Sequence, residues 1–343
     1  MQLKVLENKK LFLSYAMMNV AGYDIDNDMP MHDIRIKVRK DLEYLKDTKE
    51  IKMIKKILDN HQTYASWLNY ISIHSTTDFA KILPEQRVKK YDYYKFGLKV
   101  KDQIVNLNKK YNLNIYYEIE IANLYYEIIA KLKFELSELP LDNVIADFWQ
   151  YKFSDKGIMY INPLDACYQA GGGKKGNTLI TIPGPSEYDK ETNKVYYKGI
   201  SVLGNLFHEF SHSYARRVGN LVYNQMSLNE YDNLERIYFK IINSLDDSTQ
   251  ELMKHSYNNW RTYFEECFVK VADKSFITPI AFKSIWTKEQ INWYIKNATQ
   301  REVKNGFVII PLIIEEINKV QKMKGKIEDA WLNSINRIIQ DWK

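Results

Sequence analysis

His208 and His212 stand four residues apart, with Glu209 directly after the first, in the run Gly199–Gly219. On an α-helix, residues four apart lie one above the other on the same face, so the two imidazoles can hold one metal ion between them. A carboxylate next to the first histidine is placed to take a proton from a metal-activated water. Glu209 is therefore the expected catalytic base and zinc the expected ion. Only six histidines occur in 343 residues, so the spacing carries information. The flanks agree with a buried helix: Val202, Leu203, Leu206, Phe207, Phe210, Tyr214 and Val218 recur at near-helical spacing without a proline. Arg216, Arg217 and Gly219 read as its C-terminal end. Two imidazoles and a carboxylate on such a helix are costly to bury without a partner.

A catalytic zinc takes a third protein ligand and keeps one position open. The run Trp260–Asp273 repeats a helical pattern, with Glu265 and Glu266 in otherwise apolar company. Adjacent residues on a helix face different ways. A continuous helix puts Asn259, Thr262, Glu266, Lys270 and Asp273 on one stripe and Phe264, Cys267, Phe268 and Val271 on another, which makes Glu266 the expected ligand. Glu265 is the alternative ligand, or a partner that orients one of the histidines. Donors for the charge that develops on an attacked carbonyl are sought in Tyr263 and His255. His255 lies eleven residues before Glu266, about three helical turns or roughly 16 Å along the axis, too far to share the ion.

The combination resembles the gluzincin group of zinc metallopeptidases, in which a helix bearing His-Glu-x-x-His is followed by a second helix supplying a glutamate. More narrowly, Phe207–Tyr214 with Phe264–Val271 resembles an uncharacterised bacterial family of gluzincin-like metallopeptidases known only as a domain of unknown function. The likeness covers roughly residues 200–273. That family's second motif reads Glu, three residues, Arg, Ala, whereas Lys270 and Val271 stand at those places here. Metzincins carry a histidine six residues after the second one of the motif; position 218 is Val. The resemblance implies a zincin-like catalytic core, zinc as cofactor and a peptide or protein substrate.

Around this centre the chain reads as α+β and predominantly helical, with a small antiparallel sheet beside the motif helix. Three consecutive regions are expected: 1–145 helical, 146–275 the catalytic core, and 276–343 helical and packed on the core. Helices are expected from Lys9 to Gly22, over 33–61 with a break near Asp47, over 62–73, 85–110 and 118–138 up to a stop at Pro140, then over 228–246 and 248–273. In the tail, Thr287 and Gln290 form a capping-box start, a helix opens near Ile309, and another runs from Ile327 to Trp342. Strands are expected at Gly157–Ile161, Thr178–Ile182 and Val195–Lys198. By analogy with zinc peptidases, 178–182 would be an edge strand lining a cleft. Gly171–Gly176 lacks phosphate-loop spacing and reads as a mobile loop or lid.

Composition narrows the classes further. A net charge of +6, from 49 basic and 43 acidic residues, is too dilute for nucleic-acid binding, and Asp92 interrupts the basic aromatic stretch Arg87–Phe96. Two cysteines exclude a disulfide scaffold. No run reaches the roughly 20 apolar residues of a membrane span. A soluble chain is expected, cytoplasmic unless a leader was removed before this numbering. Function is read as zinc-dependent peptide-bond hydrolysis. The alternative is a catalytically inactive zincin-like fold that binds a peptide or protein without cutting it. An intact Glu209 favours the enzyme, because a binding module needs no base there.

Overall fold

The computed structural model describes residues 2–23, 30–60, 65–75, 92–137, 144–151 and 156–342. Half of Arg87–Phe96, the stop expected at Pro140 and the starts of the helices expected at 62 and 85 lie outside them. Apart from Met1, the chain forms two compact units, Gln2–Glu138 with Lys156–Leu206, and Leu139–Asp155 with Phe207–Lys343. These units do not follow the three consecutive regions drawn from composition. The physical reason lies at the N-terminus, where Gln2–Leu6 pairs with a strand some 150 residues later.

In the first unit β1 (Gln2–Leu6), β2 (Lys156–Tyr160), β3 (Ala170–Lys175) and β4 (Thr178–Pro183) form one sheet in the order β1-β2-β4-β3. β1, β2 and β4 are parallel, and only β3 runs antiparallel, against β4. The sheet is thus mixed rather than antiparallel. A parallel neighbour is reached only through a long connection, and nothing near β2 in sequence points to Gln2–Leu6 as its partner. β4 is an inner strand, not the edge expected of 178–182. Its residues from Leu179 to Pro183 are all buried, as a strand covered on both faces should be. β5 (Glu187–Asp189) and β6 (Lys194–Tyr196) make a separate antiparallel hairpin.

The glycine-rich run expected as a loop or lid is the edge strand β3. A Cβ on Gly171 would stand 2.9 Å from Nδ2 of Asn69, so glycine is what admits that side chain. Asn69 Oδ1 accepts a hydrogen bond from the Tyr15 hydroxyl at 3.1 Å.

The helices of this unit are α1 (Lys9–Val20), α2 (Asp33–Asp41), α3 (Lys49–Asn60), α4 (Ala65–His74), α5 (Asp92–Tyr111), α6 (Leu113–Tyr116) and α7 (Ala122–Ser137), the last two joined by a π-helical turn at Tyr117–Ile121. α1 starts at Asn8, whose side chain accepts from the backbone N–H groups of Lys10 and Leu11, and every residue from Leu11 to Val20 is buried.

At the start of α2 sits His32, fully buried, and neither ring nitrogen has a hydrogen-bond partner among the described residues. Burial first, and the Arg35 charge second, push its pKa down to about 3. The folded state therefore keeps His32 neutral, whereas an unfolded chain protonates it below its ordinary value of 6.5. Its contribution to stability is complete above pH 6.5 and is lost as pH falls toward 3. Between pH 6.5 and 5 the loss is expected to be about 2 kcal/mol. Urea unfolding of the parent and His32→Leu at both pH values checks this; an equally steep decline in the variant would remove His32 as the cause.

The second unit holds α8 (Val144–Trp149), α9 (Gly199–Tyr223) from Phe207 onward, α10 (Leu228–Asn243), α11 (Asp247–Ser256), α12 (Trp260–Val271), a π-helical continuation at Ala272–Ile277, α13 (Thr278–Ala281), α14 (Lys288–Lys304), α15 (Ile310–Lys322) and α16 (Ile327–Asp341). Its core is aromatic. Trp149 donates through Nε1 to Ser211 Oγ of α9 at 3.2 Å and lies 5.8 Å from the Phe268 ring of α12. Phe268 in turn lies 4.4 Å from Trp331 of α16. Together these rings hold α9 and α12 in register, so α16 buttresses the pair.

Two boundaries differ from expectation. α9 does not stop at Gly219 but runs to Tyr223, and a Cβ at 219 would stand 3.0 Å from the Trp331 ring. That glycine serves close packing, not chain reversal. The helix expected over 248–273 is two helices, because Tyr257 leaves helical geometry and Asn259 caps α12 by accepting from Thr262 N–H. Among the described residues no helix is long and apolar enough to cross a membrane.

Candidate metal centre

α9 presents His208 and His212 one turn apart, and α12 lays Glu266 across both. His208 Nε2 is 3.4 Å from Glu266 Oε1, and His212 Nε2 is 3.4 Å from Glu266 Oε2. The three residues offer ligand atoms that all lie within 4.8 Å of one another and could hold a metal ion. Bonds of 2.0–2.1 Å at tetrahedral angles place neighbouring ligand atoms about 3.3 Å apart. Each imidazole nitrogen stands 3.4 Å from one oxygen of the carboxylate, close to that spacing, and two imidazoles with a carboxylate are donor types that zinc takes.

Glu266 is only 7% exposed, so its charge faces the histidines and not water. Glu265, on the preceding position of α12, does not join them. Its Oε1 lies 3.2 Å from His212 Nδ1 and 3.1 Å from Arg216 Nε, which donates to it. A proton on Nδ1 directed at Glu265 leaves the Nε2 lone pair of His212 facing Glu266. Glu265 is thus the partner that orients a histidine, one of the two roles its sequence position allowed.

The electrostatics are uneven across the site. Burial pushes His208 well below the ordinary imidazole value, helped by His212 and by the Lys270 and Lys274 charges, so its ring is neutral. Burial also lowers His212, but the hydrogen bond to Glu265 and the charges of Glu266 and Glu209 outweigh it and raise its pKa overall. Burial raises Glu209 to about 7, with Glu266 adding to the rise and His212 and Arg216 opposing it. A carboxyl group tuned to neutrality is suited to both taking and returning a proton near pH 7.

The two donors sought from sequence lie elsewhere. Tyr263 is fully buried, and its hydroxyl donates to the Gly306 carbonyl at 2.9 Å, so its proton is already engaged. His255 is exposed in the last turn of α11, a helix separate from the one that carries Glu266. The phenol found near the site belongs to Tyr257, close enough to Glu266 to feel its charge. Burial, and then the Glu266 charge, raise its pKa, so it stays a protonated donor. Its ring meets Phe307 edge-on at 5.3 Å. The one hint in the sequence was the pair Asn258-Asn259, a helix-start signal that breaks the run and frees Tyr257.

Sequence reasoning placed Lys270 on the Glu266 stripe but missed Glu302 behind it. Lys270 Nζ is 3.5 Å from Glu266 Oε1 and 2.9 Å from Oε2 of Glu302, a buried residue of α14. Compared with known proteins, the chain matches no family model, no curated protein and no solved structure.

Proposed function

We propose that this protein is a zinc-dependent metallopeptidase. The observation that carries the reading is the placement of the two histidine Nε2 atoms, each 3.4 Å from a different oxygen of the Glu266 carboxylate, with a half-buried Glu209 on the same helix. His208, His212 and Glu266 would hold the ion. Zinc bound there supplies Lewis-acid chemistry, acidifying a water and polarising a carbonyl.

The remaining work falls to side chains of the chain itself. Glu209 takes a proton from the attacking water and returns it to the leaving amine, a double task that a carboxyl with a pKa near 7 performs well. Glu265 fixes the tautomer and rotation of His212 through Nδ1, and Arg216 holds Glu265. Tyr257 offers an O–H beside Glu266 for an oxygen that gains charge during attack. Peptides are the substrate class favoured by the motif chemistry and by the resemblance of the two helices to gluzincins.

The reading is tested by elemental analysis of the purified chain beside His212→Ala, followed by cleavage of a peptide library. About one zinc per chain, lost in the variant, with cleavage by the parent, is the expected result. A parent that takes up no zinc even when it is added would sink the proposal. Glu265→Gln is expected to weaken zinc binding by about 10- to 100-fold without abolishing it, since it loosens a ligand and removes none. Competition with a chelator measures this, and an unchanged affinity would strip Glu265 of that role.

A further inference from the structure

The ammonium of Lys270 stands between two carboxylates at unequal distances. Glu302 Oε2 is 2.9 Å away and Glu266 Oε1 is 3.5 Å away. Glu302 is 4% exposed and the Lys270 side chain 15%, so water does little to screen either charge. Phe307 closes another side, its ring centroid 4.6 Å from Nζ. Lys270 is also one turn along α12 from Glu266, so the helix itself delivers a positive charge to the ligand carboxylate.

A lysine so placed can do one of two things to a metal ligand. Drawn fully onto Glu266, it would compete with a cation for the same oxygen. Drawn mainly onto another acid, it leaves Glu266 a second, weaker contact that holds its orientation. The distances favour the second state, and the buried acid that produces it comes from a different helix. We propose that Glu302 is a positioning residue for the metal centre, acting through Lys270: it draws the ammonium away from Glu266, so that the carboxylate stays oriented across His208 and His212 and available to the ion. This inference rests on the reading of His208, His212 and Glu266 as metal ligands.

The test is zinc affinity, which is read without catalysis. The full chain is freed of metal and titrated with zinc against a competing chelator, beside Glu302→Gln, Glu302→Asp and the double variant Glu302→Gln/Lys270→Met. Glu302→Gln is expected to lower affinity by about 10- to 100-fold, within the range for residues that orient a ligand. Glu302→Asp, whose carboxylate retreats from Lys270, is expected to shift it the same way but less. The double variant, which removes the competing ammonium, is expected to recover most of the loss, a rescue that a merely structural role would not produce. If Glu302→Gln does not fold by circular dichroism, Glu302→Asp decides in its place. A zinc-binding parent with the Glu302 variants within twofold of it, or a double variant no better than Glu302→Gln, overturns this inference alone. A parent that binds no zinc overturns the reading of the site as well.

Discussion

Glu209→Gln is expected to lower peptide hydrolysis by about 10²- to 10⁴-fold while leaving the zinc content unchanged. Glutamine keeps the size of the side chain but cannot accept the proton of an attacking water. Glu209 is not one of the three residues whose ligand atoms cluster, so removing its charge spares the metal group. The same substitution also removes a half-buried carboxyl whose pKa has risen to about 7, a group that its surroundings make costly to ionise. The folded chain is therefore expected to be at least as stable as the parent, and loss of activity is not expected to trace to unfolding. Initial rates on a cleaved peptide, metal analysis and a thermal melt together check the result. A variant that cuts at the parental rate would remove Glu209 as the base. A parent that binds zinc and cuts no peptide would leave the inactive binding fold as the better reading.

Glu266→Ala is expected to weaken zinc binding by more than about 100-fold, beyond the loss typical of a residue that only orients a ligand. The carboxylate spans both Nε2 atoms at 3.4 Å, and its neighbour Glu265 contacts His212 through the other ring nitrogen. Glu265 is thus engaged with the far side of the His212 ring and with Arg216. The truncation also strips Lys270 of one of its two acids and leaves its ammonium to Glu302. Comparison with Glu265→Ala makes the experiment decisive: zinc retained in Glu266→Ala but lost in Glu265→Ala would exchange the two roles.

Much of the candidate site was legible because a helix imposes a fixed spacing. His208, Glu209 and His212 need only 3.6 residues per turn to be placed relative to one another, and α9 supplies an unbroken helix around them. Glu266 followed from the same periodicity, with Glu265 left as the alternative. Tyr263 and His255 did not serve as donors because their surroundings, not their spacing, decide what their polar atoms can reach. Tyr263 spends its hydroxyl on a carbonyl 43 residues later in the chain. Tyr257 comes to the site only because the chain breaks between α11 and α12.

The pattern is the same at the level of the fold. The buried run of α1, the capped start at Thr287 and the apolar strand at 178–182 follow from local preferences that neighbouring residues set. Strand order does not: β1 and β2 pair across most of 150 residues, and the glycines of β3 make sense only once Asn69 is seen against Gly171. By itself, then, the sequence determined which side chains could ligate a metal and which helices would carry them, because both depend on short-range periodicity. Which carboxylate crosses the two histidines, which phenol stands beside it and which acid restrains Lys270 were decided by tertiary structure. Those choices rest on contacts between helices far apart in sequence, where small differences in burial and distance select one partner over another.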